Sequence, residues 1–295
     1  MVNHLTRRGF LRTGLAVTGG ALAAGTGSLP SVIEAAGGKG PKMHIGLVTY
    51  MVGAKMDLPT LIETCEKGGM EGVELRSTHK HGVEPDLSAE RRREVRSLFE
   101  KSPVRCYALG SACEYHSPDA KVVRKNIDLT KRFIDLAADL GCWGVKVRPN
   151  GLPKGVAEEK TLHQIGEAVR TCAEYAAPKK VNVFVECHGG GTSRPDRMMT
   201  IMKICDHPSA CLCWNCNGLD VENGSIKRYF KMCEPYIKHV HIHTLTQGGY
   251  PWKELFNLLK AADFTGFTMI ETHYKGDDPA GFLKAQRAEF LKLAT

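Results

Sequence analysis

The chain has 295 residues, a length that fits either two average domains or one large α/β barrel. With 42% hydrophobic and 24% charged residues, 31 Gly and 14 Pro, the composition is typical of a globular protein and excludes disordered, collagenous and fibrous chains. The net charge of +8 is mildly basic, and it indicates a nucleic-acid or membrane partner only where the basic residues cluster.

The N-terminal segment does not have the pattern of a folded domain. Residues 6–12 read TRRGFLR, and residues 13–33 carry no charge and consist largely of Ala, Gly, Leu, Val, Ser and Thr. This segment resembles a twin-arginine export signal. The resemblance predicts a signal peptide over residues 1–36, a folded domain over residues 37–295, and a protein that is periplasmic or otherwise exported.

A transmembrane anchor is the alternative interpretation of this segment. Gly19, Gly20, Gly25 and Gly27 interrupt it, so it lacks the run of about 20 strongly apolar residues that a membrane-spanning helix needs. We therefore expect no stable membrane span after processing. Removal of residues 1–36 takes away three Arg and one Glu and lowers the net charge by two.

Eight short β-branched and apolar runs follow along the remaining chain, separated by segments with apolar residues at helical spacing. The runs are residues 43–48, 72–75, 104–109, 143–147, 181–186, 210–214, 239–243 and 267–271. Strands that alternate with helices form parallel sheets. No glycine-rich dinucleotide-binding motif follows the first run, which favours a closed barrel over an open doubly wound sheet. The sequence therefore predicts an α/β fold with a single (β/α)8 TIM barrel.

The 11 cysteines are odd in number and have no regular spacing, so they do not predict a disulfide framework. Cys211, Cys213 and Cys216 have the spacing of half a zinc knuckle. No second half follows, however, and Cys216 falls on the opposite face of the strand. We expect most of the cysteines to be buried free thiols.

Functional side chains of such barrels stand at the C-terminal ends of the strands. Polar residues alternate with apolar ones at five of these ends, in VELR, VKVR, VECH, HVHIH and MIETH. Because side chains two residues apart share a strand face, these polar residues converge if that face points into the barrel. Buried carboxylates are costly without a counter-charge, and a divalent cation held by carboxylate, imidazole and amide groups supplies one. The pattern predicts a metal site.

Four segments stand in an order and spacing that resembles the xylose-isomerase-like family of sugar phosphate isomerases and epimerases. They are VECH at residues 185–188, CWNCN at 213–217, HVHIH at 239–243 and IE at 270–271. The resemblance implies one divalent metal ion, Mn, Mg, Co or Zn, held by Glu, Asp, His and Glu from four successive strands. The corresponding positions in this sequence are Glu186, Asn215, His241 and Glu271.

The sequence departs from the family pattern at three positions. Asn215 stands where the family more often has Asp, so the ligand set carries two negative charges rather than three, and Asn217 is an alternative ligand on the same strand face. Gly218 and Gln247 stand where the tagatose-type epimerases of the family have a His and an Arg that contact the substrate. The metal site is therefore better supported than epimerisation at carbon 3 of a ketose.

The resemblance implies a carbohydrate substrate and removal of a proton next to its carbonyl group. A metal ion on the carbonyl and a neighbouring hydroxyl would stabilise the enediolate, while two carboxylates remove and return the proton. We assign these catalytic roles to Glu186 and Glu271. The expected substrate contacts are Lys146, His188, His243, Arg148 and Glu74.

An exported enzyme meets free, oxidised or glycosidically linked sugars more readily than phosphosugars.

The sequence leaves two other functions open and disfavours a third. Some members of the family act on 3-keto sugars or their glycosides, which makes a lyase or hydratase the main alternative. A carbohydrate-binding barrel without catalysis is the alternative from a different class. A nuclease is disfavoured, because the basic residues 91–93 are the only dense basic run and we expect them on a solvated helix face, so no nucleic-acid partner is predicted. A homo-oligomer is left open.

Overall fold

The computed structural model of the protein describes residues 41–295. The predicted signal peptide over residues 1–36 lies outside the described residues, and it stays a prediction. Within the described part of the chain, no helix is both long enough and apolar enough to span a membrane.

Eight strands form a closed parallel barrel in the order of the sequence, with β1 hydrogen-bonded to both β2 and β8. The strands are β1 His44–Met51, β2 Gly72–Arg76, β3 Arg105–Glu114, β4 Gly144–Arg148, β5 Asn182–Glu186, β6 Ala210–Asn215, β7 Ile237–Ile242 and β8 Phe267–Thr272. The predicted single (β/α)8 barrel is confirmed.

One α-helix follows each strand. The helices are α1 Leu58–Gly68, α2 Ala89–Glu100, α3 Ala120–Leu140, α4 Glu158–Ala176, α5 Pro195–Cys205, α6 Lys227–Cys233, α7 Trp252–Ala261 and α8 Pro279–Ala294. Side-chain oxygens cap several of these helices. For example, Asp57 accepts a hydrogen bond from the Thr60 amide at the start of α1, which satisfies one of the free amides of the first turn.

The interior of the barrel carries a compact apolar cluster, separate from the larger core between strands and helices. Its members are Val48, Tyr107, Ala108, Phe184, Cys211, Cys213, Phe267 and Met269. Aromatic rings dominate it, with the Tyr107 and Phe267 ring centroids 4.4 Å apart. Apolar side chains therefore fill the barrel below the polar residues at the C-terminal strand ends.

Two glycines make room for large side chains inside the barrel. A Cβ atom at Gly144 would lie 2.4 Å from the Phe184 ring, and one at Gly110 would lie 2.5 Å from Oε1 of Glu74. Both distances are too short for real contacts. Gly110 on β3 is therefore the reason that a glutamate from β2 fits inside the barrel.

All eleven cysteines are buried free thiols, as predicted. The closest approach between two of them joins the Sγ atoms of Cys106 and Cys142 at 3.3 Å. Burial raises the pKa of Cys213 to about 12, so the thiol of this inward-facing residue stays protonated at neutral pH.

Candidate active site

The C-terminal ends of the strands surround a cavity of about 340 Å³. Seven of the nine predicted site residues line it, namely Lys146, Arg148, Glu186, His188, Asn215, His243 and Glu271. His241 lies just below the cavity and is fully buried. Glu74 is fully buried as well and does not line the cavity.

Strand register brings the four predicted metal ligands together. Asn215 and His241 are direct partners in the pairing of β6 with β7, and Glu186 and Glu271 come from the strands on either side of this pair. Ligand atoms of Glu186, His241 and Glu271 all lie within 4.8 Å of one another. Nδ1 of His241 is 3.1 Å from Oε2 of Glu271 and 3.6 Å from Oε1 of Glu186.

Asn215 completes this cluster with a free oxygen. Its Nδ2 donates to Oε1 of Glu186 at 2.9 Å, whereas its Oδ1 is buried and has no hydrogen-bond partner. A buried carbonyl oxygen without a partner costs about 1–3 kcal/mol, and a cation bound to it would remove that cost. Two carboxylates, one imidazole nitrogen and one amide oxygen are a ligand set that a divalent cation accepts, so the residues fit a metal ion.

Asn217 is the weaker candidate for the fourth ligand. Its Nδ2 donates to the carbonyl oxygens of Cys187 and Asn215 at 2.7 and 2.5 Å. These two bonds tie the side chain to the backbone at the rim of the cavity, while Asn215 lies in direct contact with Glu186.

Glu74 orients the imidazole of His241 from below. Its Oε2 lies 3.0 Å from Nε2 of His241 and 2.7 Å from Nε2 of His239. A carboxylate on one ring nitrogen leaves the other nitrogen facing Glu186 and Glu271, an arrangement that is common around metal-bound histidines. The sequence predicts a substrate contact for Glu74, but the structure places this carboxylate against the imidazoles of His239 and His241 and away from the cavity. It lies one layer too deep in the barrel to reach the cavity.

Lys146 compensates one of the buried carboxylates. Its Nζ lies 2.7 Å from Oε2 of Glu186, and both side chains are 2% exposed. Burial opposes the charge on Lys146, but Glu186, Glu74 and Glu271 raise its pKa above the ordinary value. Burial likewise opposes the charge on Glu186, and the Lys146 ammonium and His241 lower the pKa of that carboxyl below its usual range. The pair is therefore ionic at neutral pH.

The remaining predicted contacts form the rim of the cavity. Arg148 donates to Oε1 of Glu114 at 2.5 Å, and Asn150 shares that acceptor at 2.6 Å. Nδ1 of His188 lies 2.6 Å from Oδ1 of Asn150. The rim on this side is thus a chain of hydrogen bonds that fixes its side chains in place.

His243 is held differently from the other rim residues. Its two ring nitrogens lie 3.1 Å from the carbonyl oxygen of Glu271 and 2.8 Å from that of Cys216. Both of these oxygens are acceptors, so a ring with one N–H donates to only one of them at a time.

A sequence profile of the xylose isomerase-like TIM barrel family matches residues 62–293 of the chain. The chain belongs to this family. Among curated protein sequences, none matches the chain.

Three solved structures illustrate the fold that this chain shares with other proteins. The 3-keto-D-glucoside 4-epimerase YcjR from E. coli is 14% identical, with 85% of this chain and 99% of that chain covered and a TM-score of 0.70. The IolI protein with a bound zinc atom is 15% identical, with coverages of 85% and 98% and a TM-score of 0.72. The probable 3-DHS dehydratase AsbF from Bacillus anthracis is 15% identical, with coverages of 84% and 98% and a TM-score of 0.67. At such identities the likeness establishes the fold.

Two departures from the family pattern remain visible in this xylose isomerase-like barrel. Gln247 is exposed and does not line the cavity, and Gly218 has no side chain to offer it. The substrate contacts of tagatose-type epimerases at these two positions have no counterpart here.

Several lining residues were not among the predicted contacts. They are Tyr50, Arg76, Thr272 and His273, together with Asn217, which the sequence predicts as an alternative metal ligand. Tyr50 is the penultimate residue of β1 and stands two positions after Val48 of the barrel interior, a spacing that is the signal that would have identified it. Asn150 stands two residues beyond β4 with a φ of 66°, a loop position that strand periodicity does not reach.

Proposed function

We propose that this protein is a divalent-metal-dependent isomerase or epimerase of sugars. The observation that carries the proposal is the unpartnered Oδ1 of Asn215 beside the converging ligand atoms of Glu186, His241 and Glu271 at the base of the cavity. The metal ion would be Mn, Mg, Co or Zn, since oxygen ligands with one imidazole suit all four.

The bound cation would supply a positive charge that stabilises negative charge on substrate oxygens. Glu186 and Glu271 then hold and move the proton at the neighbouring carbon atom. They come from β5 and β8, so they reach a substrate in the cavity from different sides. Lys146 keeps Glu186 ionised, which makes this carboxylate competent to accept a proton.

The solved structures of similar fold support this proposal. YcjR is an epimerase of a 3-keto-glucoside, and IolI has been crystallised with zinc. The residues that resemble a twin-arginine signal support an exported, periplasmic enzyme, and such an enzyme would act on free, oxidised or glycosidically linked sugars.

Substitution of each glutamate tests the assignment. We expect Glu186→Gln and Glu271→Gln to lower turnover about 10³-fold, because each removes a proton-transfer group. The melting temperature of Glu271→Gln should stay within a few degrees, whereas that of Glu186→Gln should fall because Lys146 loses its buried partner. Glu63→Gln is the matched control, since Glu63 pairs with Lys67 on the exposed face of α1. The assay incubates the manganese-loaded protein with free and 3-keto sugars in D2O and follows deuterium incorporation by NMR and mass. Near-normal exchange in both variants would contradict the proposal.

A lyase or hydratase is the second candidate. AsbF is a probable dehydratase on the same fold, and removal of the same proton from a 3-keto-glycoside leads to elimination when the leaving group departs. A released aglycone or a new enone absorbance would identify this reaction, whereas isomerisation leaves the mass of the sugar unchanged. Sugar binding that persists without metal and without turnover would identify a non-catalytic barrel.

A further inference from the structure

Arg76 is the charged residue of the cavity that the proposed reaction does not use. It ends β2 and lines the cavity. Its Nη1 donates to the backbone oxygen and the hydroxyl of Ser77, at 3.3 and 2.8 Å. Within the described part of the chain, its guanidinium forms no ion pair with a carboxylate. Most of its donors therefore remain available to a molecule in the cavity.

The other two cations of the cavity are already paired. Lys146 forms an ion pair with Glu186 at 2.7 Å, and Arg148 forms one with Glu114 at 2.5 Å. Arg76 thus adds a positive charge that these acids do not balance. A planar guanidinium matches a carboxylate through two parallel hydrogen bonds, whereas a neutral sugar hydroxyl uses only one of its donors.

We propose that the substrate is a sugar acid whose carboxylate binds Arg76. The proposal rests on the isomerase or epimerase function proposed above, and it deepens that function by naming the class of substrate. One unpaired guanidinium balances the single charge of a carboxylate, whereas a phosphate dianion carries a second charge for which this side of the cavity holds no further unpaired cation.

The surroundings of Arg76 suit the ring of such a substrate. Tyr50 lines the cavity and is 39% exposed, and its ring stacks on His79 with centroids 6.5 Å apart. His273 meets the same tyrosine edge-on at 6.3 Å. These rings form a platform beside the guanidinium on which the apolar face of a sugar ring can pack.

The nearby histidine does not compete with Arg76 for the carboxylate. Burial, together with His81 and Arg76, lowers the pKa of His79 to about 4, so this imidazole is neutral at pH 7. Glu84, an acid on the loop after β2, accepts the Thr78 amide with its Oε1, and burial raises the pKa of this carboxyl although Arg76 acts to lower it. The guanidinium is therefore the local charge that an anion meets.

Asn215 adds to this preference for an anion. With Asn in place of Asp, Glu186 and Glu271 are the negative ligands of the predicted metal site, and they balance the two charges of a divalent cation. Glu74, the third buried carboxylate, also acts on Lys146, so Arg76 is the cation left unbalanced, and its charge attracts an anion and adds nothing for a neutral sugar.

Calorimetric titration of the manganese-loaded protein tests the proposal with pairs of ligands, each an acid and its neutral counterpart. The pairs are D-glucuronate with D-glucose, D-galacturonate with D-galactose, and D-gluconate with D-glucitol, and D-glucose 6-phosphate is a further arm. We expect at least one acid to bind about tenfold more tightly than its neutral partner. Arg76→Gln should abolish that preference while leaving the affinity for the neutral partner within twofold, and Arg76→Lys should retain part of it.

The matched control is Arg96→Gln, because Arg96 pairs with Glu100 on the surface of α2 and its loss should change no affinity. The proposal is overturned if no acid binds more tightly than its neutral partner, if Arg76→Gln weakens both members of a pair equally, or if the phosphate binds better than every carboxylate. Binding is measured here apart from turnover. Loss of the acid preference therefore leaves the proposed isomerase intact, and loss of turnover does not alter this result.

Discussion

Asn215 sets the charge of the cluster at the end of β6. Its amide donates to Glu186 and its buried oxygen has no partner, so it offers a neutral ligand where an aspartate would offer a charged one. The affinity of an oxygen-ligand site for a hard divalent cation rises with the number of charged ligands. At the proposed metal site, this chain therefore keeps the geometry of the cluster with one charged ligand fewer.

A carboxylate in place of the Asn215 amide should tighten metal binding. We expect Asn215→Asp to lower the dissociation constant for Mn²⁺ about tenfold, as measured by competition with a chelator of known affinity. The control is Asn217→Asp, because the Asn217 amide is tied to the backbone oxygens of Cys187 and Asn215. Tighter binding in the Asn217 variant than in the Asn215 variant would mean that the wrong amide has been assigned.

The sequence predicts which faces of the strands carry chemistry, but not the depth of each side chain. Glu74 and Arg76 lie two residues apart on the same face of β2, and alternation treats them alike. In the barrel Glu74 is fully buried beneath His241, whereas Arg76 reaches the cavity. Depth depends on the stagger between neighbouring strands, which pairing in three dimensions determines.

At the level of elements, β3 shapes the site although it contributes no predicted ligand. The apolar run predicts a strand over 104–109, whereas β3 extends to Glu114. The pairing of β3 with β4 is irregular between Gly110 and Glu114. Beyond this irregularity the strand continues, and Glu114 lies opposite Arg148. Such irregularities are common beside active sites, and the pattern of apolar residues does not indicate them.

Gly110 of β3 leads to a prediction about this element. In Gly110→Ala the added methyl group would overlap Glu74, so we expect a loss of about 1–3 kcal/mol in the free energy of unfolding from overpacking. Displacement of Glu74 should also weaken Mn²⁺ binding about tenfold, because Glu74 orients His241. Urea unfolding and metal titration measure the two effects.

Gly248→Ala is the control for this substitution, since a methyl group there meets no atom within 4 Å. If Gly110→Ala lowers stability but leaves the metal affinity unchanged, Glu74 does not position His241.

The fold of the whole molecule follows from the sequence more fully than the site does. Eight apolar runs that alternate with helices predict a parallel sheet buried on both faces, and the absence of a glycine-rich dinucleotide-binding motif after the first run favours a closed barrel. Buried polar groups are harder to predict from the sequence, because the free-energy cost of burying each one depends on hydrogen-bond partners from distant parts of the chain. Asp220 is such a group, and it connects the turn after β6 with the loop before α7.

Asp220 is fully buried, and its Oδ2 accepts from the backbone N–H of Asn217 at 2.7 Å and from the Tyr250 hydroxyl at 3.1 Å. Its Oδ1 has no partner. Burial raises the pKa of Asp220 from 3.8 to about 7, although both hydrogen bonds lower it. The folded protein therefore holds a proton here between about pH 4 and pH 7, where the unfolded chain has already released it.

The stability of the whole molecule should consequently fall as the pH rises through this window. Because the unfolded chain binds fewer protons there, the free energy of unfolding decreases with pH, by about 3 kcal/mol for this group alone. Asp220→Asn cannot ionise, so its curve should lack this decline, and its stability relative to the wild type should rise between pH 5 and pH 8 in urea unfolding. Asp128→Asn on the exposed face of α3 should follow the wild-type curve. An Asp220→Asn variant with the wild-type slope would show that the buried carboxyl ionises at an ordinary pKa.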